Sequence, residues 1–272
     1  MEYEIKSHNK FTIGIKELWS YRELFIMFTW RDIKVKYKQT FLGVAWAIFQ
    51  PILMTLLFTF SFGSIISEKS NLNVPYSVFA LSGFILWNIF STGLTNSGNS
   101  MVNNSNIIKK IYFPRLIIPF SSVLVSLIDF IMAFLIFIPL LYYYNHSFKL
   151  SALWLIPCSI ILTCISTFGL GTLISAANVK YRDFRYILPF FIQAMLFATP
   201  VIYPLNISGN KFFQLLLEFN PMYAPIELFR HSFLSNELNL HGILYSCLSS
   251  IFTFIIGIFY FRKTESYFAD LA

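Results

Sequence analysis

The chain alternates between long apolar stretches and short polar ones, and this pattern predicts a bundle of membrane-spanning helices. A helix needs roughly 17–25 predominantly apolar residues to cross the hydrocarbon core of a bilayer. Six stretches approach or exceed this length, at residues 46–66, 76–98, 116–142, 152–177, 187–204 and 242–261. The fifth is the shortest and closes on Pro200 and Pro204. We therefore predict an all-α polytopic membrane protein with six transmembrane helices, flanked by residues 1–45 and 262–272.

Composition and charge fix the orientation of this bundle. Of the 272 residues, 56% are hydrophobic and only 12% are charged, whereas soluble domains average about 25% charged residues. Eight of the 20 Lys and Arg residues precede residue 46, three lie in 99–115, three in 178–187 and two after residue 261. Positive residues mark the cytoplasmic side, so both termini are predicted in the cytoplasm, as an even number of spans requires. The net charge of +7 then reflects topology and not nucleic-acid binding.

Residues 15–38 are too charged to span but show a helical repeat of apolar positions. The apolar face comprises Ile15, Leu18, Tyr21, Phe25 and Phe28. Trp19 and Trp30 suit the depth of the lipid head groups. The segment is predicted to be an amphipathic helix in the cytoplasmic interface. It acts either as a topogenic anchor or as a structural element at a channel entrance.

Two cytoplasmic loops combine charged and aromatic residues. The first, residues 99–115, predicts a short helix over 103–112 that presents Ile107, Lys109, Lys110 and Tyr112. The second, residues 178–187, carries Tyr181, Arg182, Asp183 and Arg185. Arg and Tyr are enriched in protein interfaces, yet positively charged inner loops are also ordinary topological signals. Each loop is therefore either a connector or a docking surface for a partner.

Two further features stand apart from the spans. The external segment 205–235 contains the amphipathic stretches 211–219 and 225–234, and it predicts a short helical pair between the fifth and sixth spans. Asp129 lies inside the third span, where a carboxylate costs at least about 2.5 kcal/mol at the helix centre. It should therefore face protein or water. No acidic or His partners that would make a proton relay are evident at its depth, which favours a structural hydrogen-bonding role.

The sequence lacks the motifs of catalysis. It contains no G-x-x-x-x-G-K-[ST] phosphate loop and no H-E-x-x-H or G-x-S-x-G pattern. Cys158, Cys164 and Cys247 lie in apolar stretches without metal-ligand spacing, and no metal site is predicted. The best physical class is a transport or channel subunit with no catalytic residues, whose energy comes from another protein.

Five segments resemble the membrane subunit of polysaccharide-exporting ABC transporters. They follow in order from FTWRDIKVKYKQTFLGVAWAIFQPI (28–52) through FPRLIIPFSSVLVSLIDF (113–130), YRDFRYILPF (181–190), ATPVIYP (198–204) and NPMYAPIELFR (220–230). The resemblance covers most of the chain from about residue 15. It implies a multi-pass permease of the bacterial inner membrane that works as a homodimer with two copies of a separate ATPase. ATP and magnesium would bind that ATPase, and this chain would bind no cofactor.

The resemblance also implies roles for the segments singled out above. The substrate would be a lipid-linked cell-surface polysaccharide such as O antigen, capsule or teichoic acid. The residues of the two cytoplasmic loops would contact the ATPase, and the helices of 205–235 would form an external gate that includes Phe212, Phe213, Glu227 and Arg230.

Aromatic rings can cover the apolar faces of sugars, so a polysaccharide channel should carry exposed rings. The candidates are Trp46, Phe49 and Phe60 on the first span and Phe197 and Tyr203 on the fifth. Lipid-facing or core packing is the alternative for each ring. Two other functions remain open: an ABC permease for a small drug or lipid, and an ion-coupled carrier, which normally shows inverted repeats or coupled ionisable residues.

Overall fold

The structure, a computed structural model, describes residues 15–38, 41–70, 74–181, 183–205, 211–234 and 238–265. Regular secondary structure in these ranges is helical throughout. In chain order the helices are α1 (Ile15–Ser20), α2 (Arg22–Tyr37), α3 (Phe41–Ser70), α4 (Tyr76–Asn103), α5 (Ser105–Ile108), α6 (Ile117–Tyr143), α7 (Ala152–Lys180), α8 (Phe184–Phe197), α9 (Lys211–Glu218), α10 (Tyr223–His231) and α11 (Leu240–Thr264).

Five of these helices are long and apolar enough to cross a membrane, namely α3, α4, α6, α7 and α11. Inside a bilayer the backbone must bond to itself, which favours helix formation in such stretches. The stretch predicted as the fifth span behaves differently. Its helix, α8, begins at Phe184 and ends at Phe197, so at 1.5 Å per residue it is only about 21 Å long. Residues 198–205 then follow as turns.

Helix α4 is the centre of the bundle. In its most apolar 18-residue window 83% of the residues are buried, against 17% for α3. It packs against α3, α6, α7, α8 and α10. Its side chains Phe79, Phe84 and Phe90 lie in the main hydrophobic core with Phe137 of α6 and Phe229 of α10. Helix α3 lies at the edge, where one face remains open.

A second hydrophobic cluster lies at the end of the bundle where α4 and α7 end and α6 begins. Phe28 of α2 contacts Phe113 with ring centroids 5.6 Å apart, and both belong to a cluster that includes Met101, Leu116 and Phe261. Leu18, Tyr21 and Phe25, three members of the predicted apolar face of the amphipathic segment, pack against the same cluster. The amphipathic segment thus forms two helices, α1 and α2, that meet at Tyr21, and α2 runs along α6.

Helices α7 and α11 approach each other closely enough to require small residues. A methyl group at Gly257 of α11 would overlap the carbonyl oxygen of Gly169 of α7. The hydroxyl of Ser166 donates to that of Ser250 at 3.0 Å across the same contact. Small residues and interhelical hydroxyl bonds are the usual means of packing helices in lipid, where apolar burial gives little driving force.

Candidate functional site

The residues predicted to couple to a partner lie next to the ends of α4 and α7 and are largely exposed. The predicted helix of the first loop is shorter than expected and covers only α5, after which Lys109, Lys110 and Tyr112 project into solvent while Ile107 is half-buried. In the second loop Tyr181, Asp183 and Arg185 are exposed. Arg182 lies outside the described residues.

The two loops are attached to helices that are tied together. The amide of Asn178 on α7 donates to the carbonyl of Gly98 on α4 at 2.7 Å. One turn away, the hydroxyls of Ser100 and Ser175 lie 3.4 Å apart. The loops follow directly from these helix ends, so both loops are attached to a pair of helices that hydrogen bonds hold together.

The predicted channel aromatics fall into two groups. Trp46, Phe49 and Phe60 occupy one face of α3 and are 59%, 53% and 95% exposed. Phe197 closes α8, and the hydroxyl of Tyr203 donates to its carbonyl at 2.7 Å. Helix α3 packs against α2, α4 and α6, whereas α8 packs against α4 and α7. The described part of one chain therefore does not bring the two groups into a single site.

A polar cavity opens between α2, α3, α4 and α6. It has a volume of about 380 Å³, and Trp46 forms part of its wall. Its amide and hydroxyl groups come from Gln50, Asn88, Thr92, Thr95 and Asn96. Asn88 lies near the middle of α4, so the cavity is at the depth of the membrane interior. Polar side chains at this depth normally face protein or a water-filled space.

An ion pair closes the cavity on the side of α6. The ammonium group of Lys36 on α2 contacts one carboxylate oxygen of Asp129, and the hydroxyl of Tyr37 donates to the other. Asp129 is buried, while the Lys36 side chain remains 33% exposed. The expected hydrogen-bonding role of Asp129 thus has specific partners, which come from the amphipathic segment and not from another span.

The segment predicted to form an external gate contains a buried arginine. Phe212 and Phe213 of α9 are exposed, but Arg230 of α10 is only 2% exposed. The Arg230 guanidinium donates to the carbonyls of Pro200 and Val201 at 2.7 Å each and lies 3.6 Å from the centroid of the Phe79 ring. Carbonyls beyond a helix end need such donors because no further turn of helix supplies them.

A second side chain of the same segment completes this arrangement. The Asn220 amide donates to the carbonyl of Ala198 at 2.9 Å. The NPMYAPIELFR and ATPVIYP segments are therefore partners in one hydrogen-bonded unit. Burial lowers the pKa of Arg230 to about 10, which leaves the guanidinium charged at neutral pH. Burial also raises the pKa of the half-buried Glu227 carboxyl.

Sequence reasoning missed the polar lining of the cavity. Asn88, Thr92 and Thr95 recur at intervals of three or four residues along α4, which places them on one helix face. A polar stripe of this kind inside an apolar stretch is the sequence feature that could have indicated the polar lining. The described residues contain no group of three or more His, Cys, Asp or Glu side chains arranged to hold a metal ion.

Comparison with known proteins assigns the family. Residues 23–234 match the ABC-2 type transporter family. The chain is 30% identical to the O-antigen export system permease protein RfbA of Klebsiella pneumoniae over 92% of its own length and 95% of that relative. It is 27% identical to RfbA of Myxococcus xanthus, over 82% and 85% of the two chains. It is 20% identical to the polysialic acid transport protein KpsM of Escherichia coli, over 86% and 91%. With its bundle of apolar helices, this chain belongs to the ABC-2 type transporter family and is a transport subunit of a membrane transporter.

Proposed function

We propose that the chain is the permease subunit of an ATP-driven exporter of lipid-linked cell-surface polysaccharide. The observation that carries this proposal is its similarity, over nearly the whole length of both chains, to permeases named for O-antigen export. We infer that two copies form the channel in the bacterial inner membrane and bind two copies of a separate ATPase. The ATPase would hold ATP and magnesium, and this chain would hold no cofactor.

The open face of α3 supports the dimer. Few residues in the apolar part of this helix are buried within one chain, and its exposed side carries Trp46, Phe49 and Phe60. A second copy would enclose this face and convert it into one wall of a passage. In this arrangement α8 and the turns of residues 198–205 together form the fifth of six membrane crossings. Both termini then lie in the cytoplasm. The α9–α10 pair, held by Arg230, would form the external gate.

The hydrogen-bonded contact between α4 and α7 connects the exposed loops to the polar cavity, and this connection supplies a mechanism. When the ATPase dimer closes, it would push on the exposed loops around Tyr112 and Asp183. The bond between Asn178 and Gly98 passes this motion into α4 and α7 together. Asn88 lies 15 residues along α4 from Asn103, about 22 Å away at helical rise. Movement of α4 would therefore shift the polar wall of the cavity and change the width of the passage.

Deletion of the gene tests this proposal. Cells without it should lose the polysaccharide from their surface and accumulate it, still lipid-linked, on the cytoplasmic side, and a plasmid copy should restore export. The tagged chain should also copurify from native membranes with a P-loop ATPase in near-equimolar amount. Normal surface polysaccharide in the deletion strain would reject the proposal. An ATPase partner without a polysaccharide defect would favour a permease for a small drug or lipid.

A further inference from the structure

We propose that the cavity between α2, α3, α4 and α6 is a binding site for one uncharged sugar ring of the passing chain. This inference rests on the proposed export function and assigns it a specific subsite. Its volume of about 380 Å³ lies within the range of known ligand sites, which is about 300–1,000 Å³.

The first observation is a buried amide without a partner. Asn88 is 5% exposed and lines the cavity, yet within the described residues its Oδ1 atom has no hydrogen-bond donor. Buried side-chain oxygens almost always have a donor, since leaving one unpaired is costly. The cavity must therefore supply that donor from water or from a ligand. A sugar hydroxyl provides a donor and an acceptor in one group.

The remaining amides and hydroxyls extend this site. Thr92 and Thr95 follow Asn88 along α4 at helical spacing, and Gln50 faces them from α3. The hydroxyls of Thr92 and Thr95 donate to helix carbonyls at 2.5 and 2.7 Å, which leaves their oxygen lone pairs as acceptors. The wall thus offers several acceptors that suit a ligand with many hydroxyl groups.

The charge balance excludes an anionic ligand. Lys36 is the cation that lines the cavity, and its ammonium group is already paired with Asp129, which also lines it. The pair contributes no net charge. A phosphate or carboxylate would have to displace Asp129 from Lys36 and would meet the buried carboxylate. A neutral polyhydroxylated ring meets neither obstacle.

An aromatic ring stands beside the polar wall. Trp46 lines the cavity and is 59% exposed. Flat aromatic rings combine an apolar face with a polar edge, and the C–H groups of a sugar ring can lie on that face while its hydroxyls reach Asn88 and Gln50. A lipid tail could pack on the Trp46 ring, but it would form no hydrogen bonds with the amide side chains. A site of this kind binds weakly enough to release each unit as the chain advances, which conduction through any channel requires.

Protection of an introduced cysteine tests the site in native membranes. In a full-length variant whose Cys158, Cys164 and Cys247 are replaced by Ser, Thr95→Cys places a thiol in the cavity. Inside-out vesicles are treated with a small charged methanethiosulfonate reagent. They come from cells that make the polysaccharide and from cells whose first glycosyltransferase is deleted. Lys263→Cys, exposed in the last turn of α11, is the matched control thiol.

The expected result is slower labelling of Thr95→Cys when the polysaccharide is present, and equal labelling of Lys263→Cys in both strains. Asn88→Leu removes the amide at similar volume, and loss of one hydrogen bond should weaken the protection about fivefold. Trp46→Leu should weaken it too, Trp46→Phe should retain most of it, and Trp154→Leu, an exposed tryptophan on α7, should leave it unchanged.

Three outcomes would overturn the site. Equal labelling of Thr95→Cys in both strains, while gene deletion still blocks export, rejects the sugar site and leaves the export function standing. Equal labelling together with normal export after deletion rejects both. Protection by inorganic phosphate in the strain without polysaccharide would identify an anion site and reject the neutral ligand.

Discussion

Lys36 and Asp129, 93 residues apart in sequence, form an ion pair that joins α2 to the middle of α6. Tyr37, the last residue of α2, bonds the second oxygen of the same carboxylate, so the end of α2 is anchored on α6. It also forms one wall of the polar cavity. The amphipathic segment is thus an integral part of the transmembrane bundle.

The two partners of this pair should respond unequally to mutation. Lys36→Met leaves the buried Asp129 carboxylate without its cation, and breaking a buried pair in this way costs about 3–5 kcal/mol. Asp129→Asn should cost less, because the amide keeps an oxygen for Tyr37 and the partly exposed ammonium can turn toward the cavity. We expect a larger fall in thermal unfolding temperature for Lys36→Met, measured in detergent by size-exclusion chromatography after heating.

The double variant is the sharper comparison. Lys36→Met with Asp129→Leu removes both charges and should recover much of the stability lost in Lys36→Met alone. Lys34→Met, an exposed position on the same helix, should behave as the unmodified protein. Equal losses in both single variants with no recovery in the double variant would mean that the pair contributes nothing beyond side-chain packing.

Arg230 should be irreplaceable even by lysine. Its planar guanidinium bonds the carbonyls of Pro200 and Val201 while lying over Phe79, and a single ammonium cannot match this fork. Arg230→Lys and Arg230→Met should each destabilise the folded protein by on the order of 3 kcal/mol, since buried carbonyls lose their donors. Reduced amounts of monodisperse protein and a lower unfolding temperature are the measurements.

The space around Arg230 provides a second test. A methyl group at Gly83 would lie 2.8 Å from both the Arg230 guanidinium and the Val201 carbonyl, so Gly83→Ala should cost about 1–3 kcal/mol through overpacking. Gly63→Ala is the control, because its methyl would meet Thr59 at 3.4 Å, an ordinary contact. If both alanine variants are equally stable, Arg230 is not the fixed centre of the external unit.

Local patterns predicted the apolar helices but not the contacts between them. Five of the predicted apolar stretches coincide with helices that are long and apolar enough to cross a membrane, because a lipid-facing helix must be apolar along its whole length. Lys36 lies in the predicted amphipathic segment, and sequence spacing cannot show that α2 runs along α6 and pairs Lys36 with Asp129. Arg230 was predicted as an external gate residue, because its hydrogen-bond partners lie in another segment of the chain. The residues that neighbour an arginine in the sequence do not indicate that its side chain is buried among carbonyl groups.

The fifth stretch shows the same limit. Its apolar composition predicted a span over 187–204, but Pro200 and Pro204 cannot donate backbone hydrogen bonds. The helix ends at Phe197, and Asn220 and Arg230 satisfy the carbonyls that follow. The donors lie in a later segment of the chain, so hydropathy alone cannot locate this boundary.

Charge reversal should separate ATPase binding from membrane insertion. Asp183→Arg and Arg185→Glu invert exposed charges beside the start of α8, and like charges across an interface cost several kcal/mol. We expect each variant to reduce the copurifying ATPase by at least about fivefold with unchanged amounts of permease in the membrane. Lys211→Glu, exposed on α9 at the other end, is the control. Full ATPase recovery and normal export in both loop variants would remove this loop from the coupling mechanism.

The aromatic face of α3 can be tested against a lipid-facing position of matched depth. Phe60 lies eight residues before the end of the Ala45–Glu68 span, and Ile161 lies nine residues after the start of α7, so the predicted topology places them at similar depth. Both side chains are exposed in one chain. A lysine facing lipid near a helix centre costs about 2.5–3.5 kcal/mol on insertion, whereas a lysine in a wet passage avoids most of that cost.

The proposed dimer channel therefore predicts opposite phenotypes for these two lysines. Phe60→Lys should accumulate in the membrane normally but export poorly, since it removes a ring from the passage. Ile161→Lys should accumulate poorly, and whatever reaches the membrane should export at its normal rate per molecule. Membrane abundance by immunoblot and surface polysaccharide by antibody labelling give the two quantities. If Phe60→Lys instead fails to accumulate, the α3 face lies against lipid, and the passage must be sought along the polar stripe of α4.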